Sequence, residues 1–369
     1  MKNRMLNKML LLSAAVALFT GCEKSTDSFS LMSASSSFKQ NVAYVQRPVD
    51  ILWVIDNSGS MDTSQQRLAA NFQSFINRFS TLGYDFRMGV ITTDAYLGYH
   101  YNSNNRSRLK DRGVDIRGTP DNCVDDLAVI SGVRVMDKNT PNLSQVFVKN
   151  AMQGVCGSGD ERAFSSFEHA LSNPLNNDFR RPGAFLSIII VSDEDDFSHY
   201  DWQNGDNSLT FNENYSQQFP ISRFTNFLDT LTDSTAGGIR NYNVSTISVL
   251  DAACRSTLST DGFQRKISTR YMALADATGG TKGSLCADFG LTLQMISDKI
   301  MELSTVFKLD REPHPSTIQV IVDGVTVPNS ATNGWTYDAA NWSISFHGNA
   351  VPNSGSDVRI YFDPKSVKL

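Results

Sequence analysis

Most of the usual signatures of catalysis and membrane insertion are missing from these 369 residues. No Gly-x-x-x-x-Gly-Lys run is present to cradle phosphates, and no Gly-x-Ser-x-Gly elbow to raise a nucleophilic serine. An aspartyl-phosphate phosphatase would want a second carboxylate where Ser58 stands. The five histidines, His100, His169, His199, His314 and His347, are dispersed, and no His-Glu-x-x-His spacing supports a zinc role. Cysteine is scarce at five, without Cys-x-x-Cys, which argues against a zinc ribbon or a thioredoxin-type centre. Charged residues make up 19% and the formal charge is −5. Bulk electrostatics therefore favour neither nucleic acid nor an acidic membrane surface. The apolar stretch 9–19 is roughly half the length that crosses a bilayer.

What is present is an Asp-x-Ser-x-Ser loop, residues 56–60, at the end of the apolar run 49–55. One carboxylate and two hydroxyls leaving a buried strand surround a common point, half of a site for a hard divalent cation. Further on, strand-like runs at 86–93, 185–191 and 244–250 alternate with segments of helical period. The helices read at 64–80, with Leu68, Phe72, Phe75, Ile76 and Phe79 on one face, at 164–171, closed by Asn173-Pro174, and at 221–231. Another begins at Tyr271 and stops at Gly279-Gly280, and a closing helix, 288–307, directs Leu293, Met295, Ile296, Ile300 and Leu303 inward. This alternation predicts an α/β fold with a mainly parallel sheet and helices on both faces. Ligands of such sheets gather beyond the carboxyl ends of the strands, where Asp56 and Asp193 both fall.

The ends of the chain differ from its middle. Lys2, Arg4 and Lys8 precede the apolar stretch, as in an export leader at 1–21. The small residues before Cys22 resemble a bacterial lipobox, with Phe19 where leucine is usual, and this marks Cys22 for lipidation. The polar, small residues that follow predict a flexible tether over 22–48. Export leaves four cysteines to pair; of the three possible pairings, Cys123–Cys156 and Cys254–Cys286 each flank one loop-rich segment. Residues 96–141 lack a sustained period and read as a long surface excursion. Its interleaved tyrosines and arginines are better explained by solvent than by nucleic acid. After Leu309 the composition changes: an Asp323-Gly324 turn and three alternating runs predict a small antiparallel β module over 310–369, packed on the larger domain.

Residues 49–309 resemble the von Willebrand factor type A (VWA) domain, and most closely its bacterial lipoprotein branch. Ile55 to Met61 is similar to the family's metal-ion-dependent adhesion site, Gly89 to Asp94 to its second strand, and Ile188 to Asp193 to the strand and aspartate that complete the site. The run Ser192 to Asp195 and the sequence Cys286-Ala287-Asp288-Phe289 fit the lipoprotein branch. The resemblance implies a Rossmann-like sheet and a cation, Mg²⁺ with Mn²⁺ or Ca²⁺ as substitutes. Ser58 and Ser60 would ligate directly, Asp56 and Asp193 through water. The family's threonine on a second loop has no counterpart; Glu161 takes that place in preference to Ser158 and Ser165. Asp94, Asp195 and Asp196 read either as holders of metal-bound water or as solvated loop acids.

The function these features imply is partner binding, not catalysis. The expected protein is lipid-anchored in a bacterial cell envelope and binds a protein ligand through the cation, by an acidic side chain of that ligand. Glu23 after Cys22, in place of aspartate, resembles outer-membrane sorting rather than inner. The alternatives are an envelope scaffold whose metal only stabilises the strand ends, and a metal-dependent hydrolase.

Overall fold

The computed structural model describes residues 38–43, 47–100, 102–114, 128–199, 218–234 and 239–366. The leader, Cys22 and Cys123 lie outside them. The chain enters through β1 (Phe38–Ala43), β2 (Val49–Ile55), α1 (Asp62–Thr81) and β3 (Phe86–Thr92). The excursion holds a short helix, α2 (Leu97–His100), a hairpin of β4 (Arg112–Val114) with β5 (Ala128–Ile130), and β6 (Met136–Asp137). Then come α3 (Leu143–Ala151), α4 (Ala163–Leu171), β7 (Phe185–Val191), α5 (Ile221–Leu231) and β8 (Tyr242–Ser248). They are followed by α6 (Ala252–Leu258), α7 (Thr269–Thr278), β9 (Lys282–Ser284) and α8 (Phe289–Ser304). The tail carries β10 (Phe307–Lys308), β11 (Gln319–Val322), β12 (Val325–Val327), β13 (Trp335–Asp338), β14 (Ser343–Phe346) and β15 (Asp357–Phe362).

The central sheet runs β6-β3-β2-β7-β8-β9, parallel throughout except where β6 pairs antiparallel with β3. β2 and β7 are buried along their whole length, because α1, α3 and α8 cover one face and α4, α5 and α7 the other. Strands covered on both sides need apolar residues at every position rather than at alternate ones, which is why 49–55 and 185–191 read as continuous runs. The expected α/β architecture, a mainly parallel sheet with helices on both faces, is thus present. On α1 the five apolar residues of the predicted face are all buried, each worth about 1.5–3 kcal/mol of burial. Trp53 sits at the centre of that face, edge-on to Phe75 and Phe147 with ring centroids 5.0 and 5.1 Å away. On α8, Leu293, Ile296 and Ile300 are buried as expected, but Met295 is 53% exposed and Met301 is buried in the core. At 100° per residue Met295 stands on the other side of the helix from Leu293 and Ile300.

The tail forms two antiparallel sheets, β1-β15-β11-β12 and β10-β14-β13. Asp323 and Gly324, at φ 51° and 81°, turn β11 into β12 in the left-handed conformation a tight hairpin needs. Two boundaries read from the sequence shift. Phe38–Ala43, within the span expected as tether, pairs residue for residue with β15 and so belongs to the fold. β10, before the break placed at Leu309, pairs with β14. In both cases a strand edge of the tail satisfies its backbone groups with the nearest extended segment. One apolar core runs without interruption from Phe72, Ile296 and Ile300 to Val320, Ile344, Phe346, Val358 and Ile360. The module meets the carboxyl end of α1: Arg78 donates to the Gly348 carbonyl at 3.3 Å, and the Ser354 N–H to the Leu82 carbonyl at 3.2 Å. That is the end of the sheet opposite the loop of residues 56–60.

Candidate metal centre

Adjacent parallel strands β2 and β7 end in Asp56 and in Ser192-Asp193, so the two loops leave the sheet side by side. The Ser58 N–H donates to Asp56 Oδ1 at 2.8 Å. This Asx turn curls the loop and brings the Ser58 and Ser60 hydroxyl oxygens to 3.5 Å of each other. Ser192 Oγ donates to Asp56 Oδ2 at 2.7 Å, and Ser60 Oγ donates to Asp193 Oδ1 at 2.9 Å. Asp56 and Asp193 are almost wholly buried, as is Ser58.

A second loop, 154–161, is tied to the first by Gln65, whose Nε2 donates to the Asp56 and Gly154 carbonyls, both at 2.8 Å. The Gly157 N–H donates to the Asn57 carbonyl at 2.6 Å. A Cβ on Gly157 would stand 2.7 Å from that oxygen, so a glycine is what lets the loops approach. This loop carries Glu161, 1% exposed. Of the alternatives, Ser158 Oγ accepts from the Asp160 N–H at 3.0 Å, and the backbone N–H of Ser165 donates to Ser198 Oγ at 2.9 Å.

Burial and crowding of like charge dominate the electrostatics. Burial, then the charge of Asp193, pushes Asp56 up to about 7. Burial and the charges of Asp56, Glu194 and Asp193 hold Glu161 well above the ordinary glutamate value. Asp193 is raised by burial, with Arg265 opposing. Glu194, 4% exposed, is driven up to about 9 by burial and by Asp193 and Asp56. Neither Glu194 nor Arg265 was expected at the site. Arg265 Nε donates to Asp193 Oδ2 at 2.6 Å, its two terminal nitrogens grip Asp261 at 2.6 Å each, and Nη2 reaches the Ser60 carbonyl at 3.2 Å.

Three further acids are held by hydrogen bonds, Asp94 to the loop of residues 56–60 itself and Asp195 and Asp196 to helix amino ends. Asp94 accepts from Asn57 Nδ2 and the Ser158 N–H, both at 3.2 Å. Asp195 accepts from Thr269 Oγ1 at 2.6 Å and the Arg270 N–H at 2.9 Å, at the start of α7. Asp196 accepts from the Phe164 N–H at 3.0 Å, at the start of α4, and pairs with Arg270. Carboxylates favour these positions because helix amino ends leave donors unpaired.

Among the described residues no three His, Cys, Asp or Glu side chains converge as a metal-ligating group by themselves. An ion here would depend on the serine hydroxyls as well. The donor set is nonetheless one that suits a hard cation: all oxygen, with Glu161 Oε2 and Glu194 Oε2 buried and without any hydrogen-bond partner. Phe263, 48% exposed, lies on the rim, its ring 3.4 Å from where a Cβ on Gly59 would be. A disulfide joins Cys254 to Cys286, as expected. Cys156 is also disulfide-bonded; Cys123, its expected partner, lies outside the described residues.

No protein-family model matches the chain, and no curated protein does. Among solved structures it is similar to the pilus adhesin SpaC from Lactobacillus rhamnosus GG in an open conformation, at 13% identity and a TM-score of 0.40. That match covers 87% of this chain and 39% of the adhesin. It is also similar to proximal thread matrix protein 1 from the mussel byssus, at 11% identity and a TM-score of 0.36, over 74% of this chain and 51% of that one. Another form of the byssus protein has a zinc-occupied MIDAS motif. The chain thus spans about two fifths to one half of these structures, and at such distances the functional argument rests on the residues themselves.

Proposed function

We propose that this chain is a lipid-anchored envelope protein of the VWA type that binds a protein partner through a divalent cation at the carboxyl ends of β2 and β7. One observation carries the reading: Asp56, Asp193, Glu161 and Glu194 are each buried, Asp193 takes the Ser60 hydroxyl, and Glu161 and Glu194 each keep one carboxylate oxygen unpaired. Like charges buried at this density repel unless a cation compensates them. Ser58, Ser60 and Glu161 would hold the ion, and Asp56 and Asp193 would orient what surrounds it. Magnesium suits such oxygens and keeps positions for water or for a partner's oxygen, a carboxylate by the family resemblance. Exposed Phe263 offers the partner an apolar hold beside the ion. Among the described residues no helix is long and apolar enough to cross a membrane; the proposed anchor is Cys22.

Calorimetric titration of the full-length chain with Mg²⁺ and Mn²⁺ tests the site. Saturable binding is expected, and the double variant Ser58→Ala, Ser60→Ala should lose it while keeping its circular dichroism. A wild-type chain that takes up neither ion would overturn the reading. Cys22→Ser should release the protein from membranes, and persistent association would contradict the anchor.

A further inference from the structure

We propose that Glu194 is a direct donor to the cation beside Glu161, so that the ion is held from within the chain before any partner arrives. The inference rests on the metal-site reading above and adds a ligand to it. Every oxygen of Asp56 and Asp193 already takes a hydrogen bond. Asp56 Oδ1 and Oδ2 accept from the Ser58 N–H and Ser192 Oγ, and Asp193 Oδ1 and Oδ2 accept from Ser60 Oγ and Arg265 Nε. The glutamates are in the opposite state. Glu161 and Glu194 are 1% and 4% exposed, and each keeps Oε2 sealed from solvent without a hydrogen-bond donor.

Burying an unpaired carboxylate oxygen is costly, and native proteins leave few such atoms without a reason. Two of them lie on loops 33 residues apart in sequence; the charges of Asp56 and Asp193 act on both, and that of Glu194 acts on Glu161. Glu194 follows Asp193, which takes the Ser60 hydroxyl, and its N–H donates to Ser192 Oγ, which in turn donates to Asp56, so its backbone stands beside the loop of residues 56–60. Arg265 opposes this charge from the Asp193 side but is spent on Asp193, Asp261 and the carbonyls of Leu258, Phe263 and Ser60. Two glutamate oxygens and two hydroxyls make four oxygen donors, and a near-octahedral ion would keep its remaining positions for water or a partner.

The test is Mn²⁺ binding to full-length Glu194→Gln by calorimetry, with melting curves in chelator and in Mn²⁺. Glutamine keeps the shape and removes the charge. We expect at least a tenfold weaker affinity, a higher melting temperature than wild type in chelator, because a carboxyl that is costly to bury is gone, and a smaller rise on adding Mn²⁺. A purely structural Glu194 would instead lower the melting temperature in chelator and leave affinity alone. Wild-type affinity in Glu194→Gln overturns the inference while leaving the metal site standing. Absence of Mn²⁺ binding by the wild type overturns both. If Glu194→Gln does not fold, Glu194→Asp, charged but shorter, should show the same tenfold loss, and unchanged affinity there refutes the assignment equally.

Discussion

Arg265→Met isolates the guanidinium that balances this centre. Both members of the Arg265–Asp193 pair are buried, with side chains 3% and 1% exposed. Removing one partner of such a pair costs about 3–5 kcal/mol, because the other charge is left uncompensated. Two features place the expected loss at the low end. Asp193 keeps the Ser60 hydroxyl on its other oxygen, and methionine fills most of the space of the arginine stem. The second grip, on Asp261, adds little, since that carboxylate is 46% exposed and rehydrates. About 3 kcal/mol is therefore expected in chelator at about pH 8. The loss must depend on pH. Burial already raises the Asp193 carboxyl, against the pull of Arg265; without the arginine it rises further. A carboxyl raised in the fold keeps its proton where the unfolded chain, at about 3.9, has released it, so stability falls as pH climbs through that window. The variant should thus lose little near pH 4 and progressively more towards pH 8. Urea denaturation at several pH values, followed by tryptophan fluorescence, measures this. A loss below about 1 kcal/mol at pH 8, or one that does not vary with pH, would refute the reasoning. Saturating Mg²⁺ should recover part of the loss, and Asp193→Asn in the variant background should recover most of it.

Two further perturbations test the frame around the centre. Replacing Cys254 and Cys286 with alanine opens a crosslink between residues 32 apart, for which loop-closure entropy gives a loss of about 3–4 kcal/mol, readable as a lower urea midpoint; an unchanged midpoint would show that the two segments hold each other without it. Trp53→Ala empties the aromatic cluster of Phe72, Phe75 and Phe147 and should cost about 3–5 kcal/mol; a loss below about 1 kcal/mol would mean that α1 and α3 close over the gap.

What could be read in advance follows from how far apart in sequence the cooperating residues lie. The sheet was legible because β2 and β7 are uninterrupted apolar runs, and α1 because its stripe keeps helical spacing. Asp56, Ser58 and Ser60 lie within five residues, and Asp193 ends its own apolar run, so local pattern singled them out as candidates. Arg265 was not legible. It comes 72 residues after Asp193, from an irregular stretch between α6 and α7, and nothing nearby marks it. The run of four residues from Ser192 to Asp195 shows the other limit. Composition cannot say that Glu194 keeps a buried, unpaired carboxylate oxygen while Asp195 caps α7, since a turn, not a repeat, decides where each side chain goes. β9 was passed over because Lys282-Gly283-Ser284 is neither long nor apolar, being the edge of the sheet. β1 was passed over because it is a strand only by virtue of β15, more than 300 residues later.

The pairing of β1 with β15 has a practical consequence for handling the molecule. Phe38 lies opposite Phe362, so the strand by which the chain enters the fold and the strand by which it leaves are neighbours at one pole, while the acidic loops occupy the other. A tag or surface linkage placed after residue 362 would hold the protein in nearly the orientation that a tether before residue 38 would impose. Immobilised by either end, the protein would present the same pole, with Ser58, Ser60 and Phe263, to whatever flows past it.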